Sequence, residues 1–339
     1  SNRNSGILLE ALRHDVTPAG LHYLLIHFDV PYVPAEKADA WTLSFGEGFA
    51  KPLSLSLAEL KAMPQRTLRV TMECAGNGRS WISPRRQSQP WHSEAVGAEW
   101  TGTPLKPLLA RAGIPDGTVD IVFLGQDRGF DDGQEHDYGR ALSPAMARHD
   151  DVLLVWAMNG QPLLPQHGFP LRLVVPGWYG MASVKWLDRI EAWRRPYDGY
   201  QQVGTYVYKT TETDSGTPVT TMRVKSLLVP PGMPDWYSRR RLLDAGRVEL
   251  MGRAWSGDGR AIGRGEVAVD GIWRDANLDP PAGRYAWRGW RCTWDATPGE
   301  HVLMCRATDE TGAVQPLEPP FDRGGFGNNM AHRVDVTVR

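Results

Sequence analysis

Cys74 is the only cysteine in the first two hundred residues, and it stands where a strand-like run meets a glycine-rich turn, in Thr71-Met-Glu-Cys74-Ala-Gly76-Asn77-Gly78-Arg79-Ser80. Deprotonated, such a thiol is a soft ligand for a redox metal. Buried and unused, it is only a small hydrophobe. The run from Thr67 to Glu73 alternates apolar and polar residues, as a half-buried strand does, and Gly76 and Gly78 give the freedom a tight loop requires. A second concentration of chemistry lies between Val152 and Ile190, where apolar strands alternate with glycine-proline turns and bring out His167, Arg172, Ser183 and Lys185 within nineteen residues. Arginine offers a planar fork of donors to a phosphate, lysine a point charge, and a serine hydroxyl can fill remaining lone pairs. Asp127 closes the apolar run that begins at Asp120, so its carboxylate can accept hydrogen bonds from an aminated ring or simply close an Asx-turn.

The Cys74-Ala-Gly-Asn77 segment, with a basic residue following, resembles the molybdenum-ligating segment of the sulfite oxidase family, which reads Cys-Ala-Gly-Asn-Arg-Arg where this chain has Gly78-Arg79. The longer run Ala157-Met-Asn-Gly-Gln-Pro-Leu-Leu-Pro-Gln-His167-Gly-Phe-Pro-Leu-Arg172-Leu-Val-Val-Pro-Gly177, followed by Gly180-Met-Ala-Ser183-Val184-Lys185-Trp186-Leu, resembles the same family's pterin-binding core. The similarity continues through nearly the whole chain. It implies a molybdenum-molybdopterin cofactor with Cys74 as the metal ligand, and Tyr23, His27, Asp127, His167, Arg172, Ser183, Val184 and Lys185 around the pterin. Tyr197 matches the family's active-site tyrosine, with Tyr200 as the alternative because one residue is missing between Trp193 and the tyrosine. Arg85, Arg86 and Arg323 are implied as contacts to an anionic substrate. The departures fall on that substrate: Leu25 and Ile26 stand where the family has an arginine and an asparagine, and Gln87 where vertebrate members have a lysine.

The activity implied is oxygen-atom transfer, oxidation of the small oxyanion sulfite to sulfate with electrons passed to an external acceptor, a protein or a soluble molecule. A related oxotransferase acting on another sulfur or nitrogen oxide is the alternative that Leu25 favours. A structural dimer that binds no metal is the alternative from another class. No haem-binding module is visible in the chain.

These side chains need two kinds of support. The length of 339 residues, with 41% hydrophobic and 23% charged, predicts a globular protein of two domains. The expected fold class is α+β: a mixed α/β molybdopterin-binding domain over residues 1–205, a Thr/Ser/Gly/Pro-rich linker over 206–234, and an all-β immunoglobulin-like sandwich over 235–339. The last rests on short alternating strands between Gly, Asp and Pro turns, starting near Arg247, Glu266, Trp287, His301 and Arg333. In the family this domain makes a homodimer. A serine-capped helix is expected after Ser54, and another after Gly97. The formal net charge of −1 gives no electrostatic case for nucleic acid, and no apolar run approaches the roughly 18 residues of a membrane span. The start of the chain has no apolar signal-peptide core, which leaves a soluble cytoplasmic or periplasmic location undecided. Three cysteines do not make a disulfide framework, and Cys292 and Cys305 are expected as buried free thiols.

Overall fold

Alternating apolar residues set most of the architecture: in the computed structural model, which describes residues 4–85 and 91–339, strands dominate and the helices are short. The chain divides into two compact units. The first comprises Tyr23–Leu68 and Ala98–Thr220 with residues 4 and 5, and the second Gly6–His22, Arg69–Gly97 and Thr221–Arg339. Two strands, Arg66–Glu73 and Ala95–Pro104, contribute residues to both.

The first unit is built on a mixed sheet whose strands run in the order Leu53–Ser56, Thr42–Phe45, Leu187–Trp193, Asp120–Asp131, Gln134–Leu142. Thr42–Phe45 pairs parallel with Leu187–Trp193, and the remaining pairs are antiparallel. Phe45, Val122, Phe123 and Ile190 are fully buried in it. A reciprocal capping box starts the helix Leu57–Lys61: Glu59 N donates to Ser56 Oγ at 3.2 Å and Ser56 N donates to Glu59 Oε2 at 2.7 Å. The helix Leu105–Ala112 buries Leu105, Leu108, Leu109 and Ala112, a stripe at helical spacing. Leu153–Met158 pairs antiparallel with Arg172–Val174 and sets Arg172 opposite Val155.

In the second unit one strand path follows the order Lys225–Leu228, Gly246–Trp255, Arg288–Ala296, Ile272–Leu278, Ile262–Val269, Gly299–Asp309, His332–Val338, Arg241–Leu243, Met233–Pro234. The path wraps one apolar core of the immunoglobulin-like kind. Along Arg288–Ala296 every second side chain, Trp290, Cys292, Trp294 and Ala296, enters that core, and Leu303, Cys305 and Ala307 do so from Gly299–Asp309. All three cysteines are free and buried, as the count had implied.

The stretch 206–234, read from composition as a linker, holds the strand Lys225–Leu228, buried along its whole length and paired antiparallel with Gly246–Trp255. A four-residue strand opening on lysine has too little pattern to stand out among prolines and threonines, and its place is set by a partner far along the chain. Among the described residues no helix is long and apolar enough to cross a membrane.

Candidate functional site

Cys74 follows the strand Arg66–Glu73 directly and belongs to the second unit. Its N–H donates to Glu94 O at 2.9 Å, and its own carbonyl accepts from Asn77 N at 2.9 Å, which closes a tight turn. Gly78, at φ +79°, lets the chain leave that turn in a left-handed conformation and enter the short helical turn Arg79–Trp81. Gly76 N donates to the sulfur at 3.4 Å. Arg79 folds back so closely that a Cβ on Gly76 would lie 2.2 Å from its Nη2, and its guanidinium stands 5.0 Å from the centre of the Phe326 ring. Burial pushes the Cys74 thiol up to about 12; Arg79's positive charge opposes that rise, and the carboxylates of Glu94 and Glu73 add to it. Glu94 itself is pushed up to about 7 by burial, against the N–H groups of Ser93 and His92 that bond its Oε1.

Of the arginines expected near the substrate, Arg85 donates from Nη1 to Ile82 O at 3.3 Å, and its buried Nε has no partner among the described residues. Arg86, like Gln87, lies outside the described residues. Arg323 is half-buried in the closing segment, which meets the cysteine turn where Gly327 N donates to Ala75 O at 2.8 Å.

The first unit gathers most of the residues implied for the pterin. Arg172, buried, donates from Nη1 to His167 O at 2.9 Å and from Nη2 to Ser183 O at 3.0 Å, and lies 4.9 Å over the Trp100 ring. Burial lowers its pKa to about 10. Lys185 donates to Leu25 O at 2.8 Å and to Gln166 O at 3.1 Å. Asp127, Val184 and Lys185 converge on Gly125, where a Cβ would lie 2.6 Å from Asp127 Oδ1, 2.5 Å from Lys185 O and 3.4 Å from Val184 Cγ1. Burial raises the Asp127 carboxyl and lowers the Lys185 ammonium, and their mutual attraction opposes both shifts. Ser183 Oγ accepts from Val175 N at 3.1 Å, and Val184 O accepts from Leu173 N at 2.8 Å. Tyr23 and His167 are buried. His27 pairs through Nε2 with the Tyr206 hydroxyl at 3.1 Å, and its ring lies 4.9 Å from that of Tyr138.

Tyr197 belongs to the same unit. Its ring packs at 5.2 Å from Trp193 and joins the small core of Val122 and Ala141, its hydroxyl lies against Gly139, and burial pushes its pKa up to about 12. The Tyr200 ring lies 5.1 Å from that of His136, tilted at 44°. Close by is a cation that sequence reasoning passed over. Arg140 is almost wholly buried, donates to the carbonyls of Gln201 and Val219, and lies 5.6 Å over the Tyr206 ring. Its only sign in the sequence is its place in the strand Gln134–Leu142, whose last five residues are all buried. Glu94 and Lys225 were also missed, since only the fold brings them to the cysteine turn, and Arg79, within the segment itself, was given no role.

The residues gathered in the first unit fit a phosphate-bearing pterin. Asp127 Oδ1 is buried with no hydrogen-bond partner among the described residues, which suits a ring N–H or amino donor. Arg172 and Lys185 supply cations beside it; in the second unit, Cys74 is a soft donor. Among the described residues no group of three or more His, Cys, Asp or Glu side chains is disposed to hold a metal ion.

Comparison with known proteins agrees with this chemistry. Mouse (Mus musculus) mitochondrial sulfite oxidase is 33% identical over 95% of this chain, and the chain spans 62% of that protein's length. Chicken (Gallus gallus) sulfite oxidase is 34% identical over 94% of this chain and 72% of its own. Among solved structures, the sulfane dehydrogenase SoxCD from Paracoccus pantotrophus superposes with a TM-score of 0.83 at 27% identity, covering 97% of this chain and 83% of that one. The model of the Mo-co oxidoreductase dimerisation domain matches residues 217–339. That of the oxidoreductase molybdopterin binding domain matches residues 27–201, more than half of the chain, and the protein belongs to this molybdopterin-binding oxidoreductase family.

Proposed function

We propose that this chain binds the molybdenum-molybdopterin cofactor and oxidises sulfite to sulfate, consuming one water and releasing two protons and two electrons to an external acceptor. The observation that carries the reading is the buried Cys74 turn, a lone thiol held in a glycine loop within a chain of this family. When bound, the cofactor supplies two-electron oxygen-atom transfer. The protein's part is to hold and to screen. Cys74 is the metal ligand, and Tyr23, His27, Asp127, His167, Arg172, Ser183, Val184 and Lys185 hold the pterin and its phosphate. Arg85 and Arg323 hold the anionic substrate, with Arg86, the residue after Arg85, as a third contact, and Tyr197 is the active-site tyrosine. A catalytic domain over 1–205 and a dimerisation domain over 235–339 follow from the same reading, with two chains forming a homodimer.

One observation favours a second substrate class. Leu25 is half-buried and presents its carbonyl to Lys185, so an aliphatic side chain stands where the family resemblance calls for a cation. A charge-assisted hydrogen bond contributes roughly 1.5–3 kcal/mol, about ten- to a hundredfold in affinity. Its loss suits a less charged sulfur compound, of the kind named by the sulfane dehydrogenase relative. The test is sulfite-dependent reduction of an artificial acceptor by protein carrying about one molybdenum per chain, measured beside Leu25→Arg. Robust wild-type turnover supports sulfite. An inactive wild type with an active Leu25→Arg variant assigns the chain to the other substrate.

A further inference from the structure

Behind the cysteine turn lies a buried ion pair that the chemistry of the cofactor does not call for. Lys225, at the start of the strand Lys225–Leu228, reaches Glu73 Oε1 at 3.0 Å, with the two side chains 5% and 1% exposed. The same ammonium donates to Asn77 O at 3.0 Å and to Asn328 O at 2.6 Å. Glu73 also accepts from Asn77 Nδ2 at 2.9 Å and from Trp255 Nε1 at 2.9 Å. Asn328 Nδ2 donates to Gly78 O at 2.8 Å, and Asn77 Oδ1 accepts from Glu94 N at 3.2 Å. One cation thereby ties the residue before Cys74, the residue three after it and the closing segment of the chain. All of these groups belong to one unit.

A buried ion pair adds little stability over apolar packing of the same volume, so its use here points to position. Its charge matters as well. A bare carboxylate one residue from a negatively charged sulfur would repel it in a low-dielectric interior, and Lys225 cancels that charge at 3.0 Å. We propose that Glu73 and Lys225 are positioning residues, a neutral clamp that fixes the Cys74 turn in the geometry needed to hold the metal. The proposal rests on Cys74 being the metal ligand.

The test compares wild type, Lys225→Met, and the double variant Glu73→Gln, Lys225→Met, in which no bare charge is left and the glutamine oxygen keeps an acceptor for Trp255. Two quantities are read: molybdenum per chain in the loaded protein, and the rate at which iodoacetamide alkylates Cys74 in chain made without cofactor, with buried Cys305 as the internal control. The single variant is expected to alkylate at Cys74 at least about tenfold faster with Cys305 unchanged, and to lose most of its molybdenum. The double variant also lacks the ammonium that ties Asn77 O and Asn328 O, and is expected to alkylate at Cys74 at least about fivefold faster than wild type, with Cys305 unchanged. Wild-type values in the single variant overturn the clamp, and so does a double variant back at wild-type values, because the ties are then dispensable. Equal acceleration at Cys305 also overturns it, because the pair is then a general stabiliser. Should the single variant not fold, the double decides: faster alkylation at Cys74 alone supports the clamp, and wild-type values or failure to fold overturn it. A Cys74→Ala chain that keeps its molybdenum removes the ligand reading, while the alkylation rates still judge the turn.

Discussion

Burial holds the Cys74 thiol at about 12, so at neutral pH the cofactor-free side chain is protonated and a poor nucleophile. A metal reverses that balance, because coordination stabilises the thiolate directly. Cys74→Ser should reduce bound molybdenum by at least about tenfold and abolish turnover, while the unfolding midpoint of the cofactor-free chain stays close to wild type, since serine is nearly isosteric. Molybdenum analysis and thermal unfolding of the same preparation check it, and a metal-replete serine variant would contradict it. At this scale the sequence was legible where a residue type carries its chemistry in its own segment. Cys74 following a strand, Arg172 opening one and Lys185 in a bend match the local settings expected of them. Arg79 and Arg140 could not be read this way, because the partners that give them meaning, Phe326 for one and Tyr206 for the other, come from distant parts of the chain.

Elements were legible where alternation is long enough to show. Arg288–Ala296 and Gly299–Asp309 repeat an inward apolar residue every second position, and the sequence alone marks both. Lys225–Leu228 escaped for lack of length, although the strand His332–Val338 and the closing segment depend on the region around it. His332 opens that last strand, and its Nδ1 accepts from Leu228 N at 3.0 Å. Burial lowers its pKa to about 4, and the nearby charge of Lys225 adds to the effect. The sign follows from the two states. As pH falls through about 6.5 the unfolded chain takes up a proton that the folded ring refuses until about 4, so the stability present above 6.5 is lost across that window. For a half-buried ring the loss is about 2 kcal/mol after a discount for solvent screening. Urea unfolding from pH 7 to pH 4.5 should show His332→Asn, which can still accept from Leu228 N, losing less stability than wild type by about that amount. Parallel curves would exclude the ring as an acid-labile point.

The whole molecule reads as a pair of cores with different duties, and the second carries more than support. The match to a dimerisation domain over 217–339 falls on the unit that also holds Cys74 and Lys225. This unit presents large apolar side chains to solvent, Trp236 at 72% and Tyr237 at 92% in one short segment. Single exposed apolar residues are ordinary, whereas a neighbouring aromatic pair is the kind of feature an interface buries. With a net charge of only −1, long-range repulsion between two copies is small. A homodimer with an isologous interface is therefore expected, and one of standard size would bury about 800 Å² per partner. Light scattering on the full chain should give twice the 37.8 kDa chain mass. An interface of that size should keep this value on about tenfold dilution. A mass of 37.8 kDa at every concentration would exclude the dimer but leave the cofactor chemistry standing, because the Cys74 turn and its clamp are complete within a single chain.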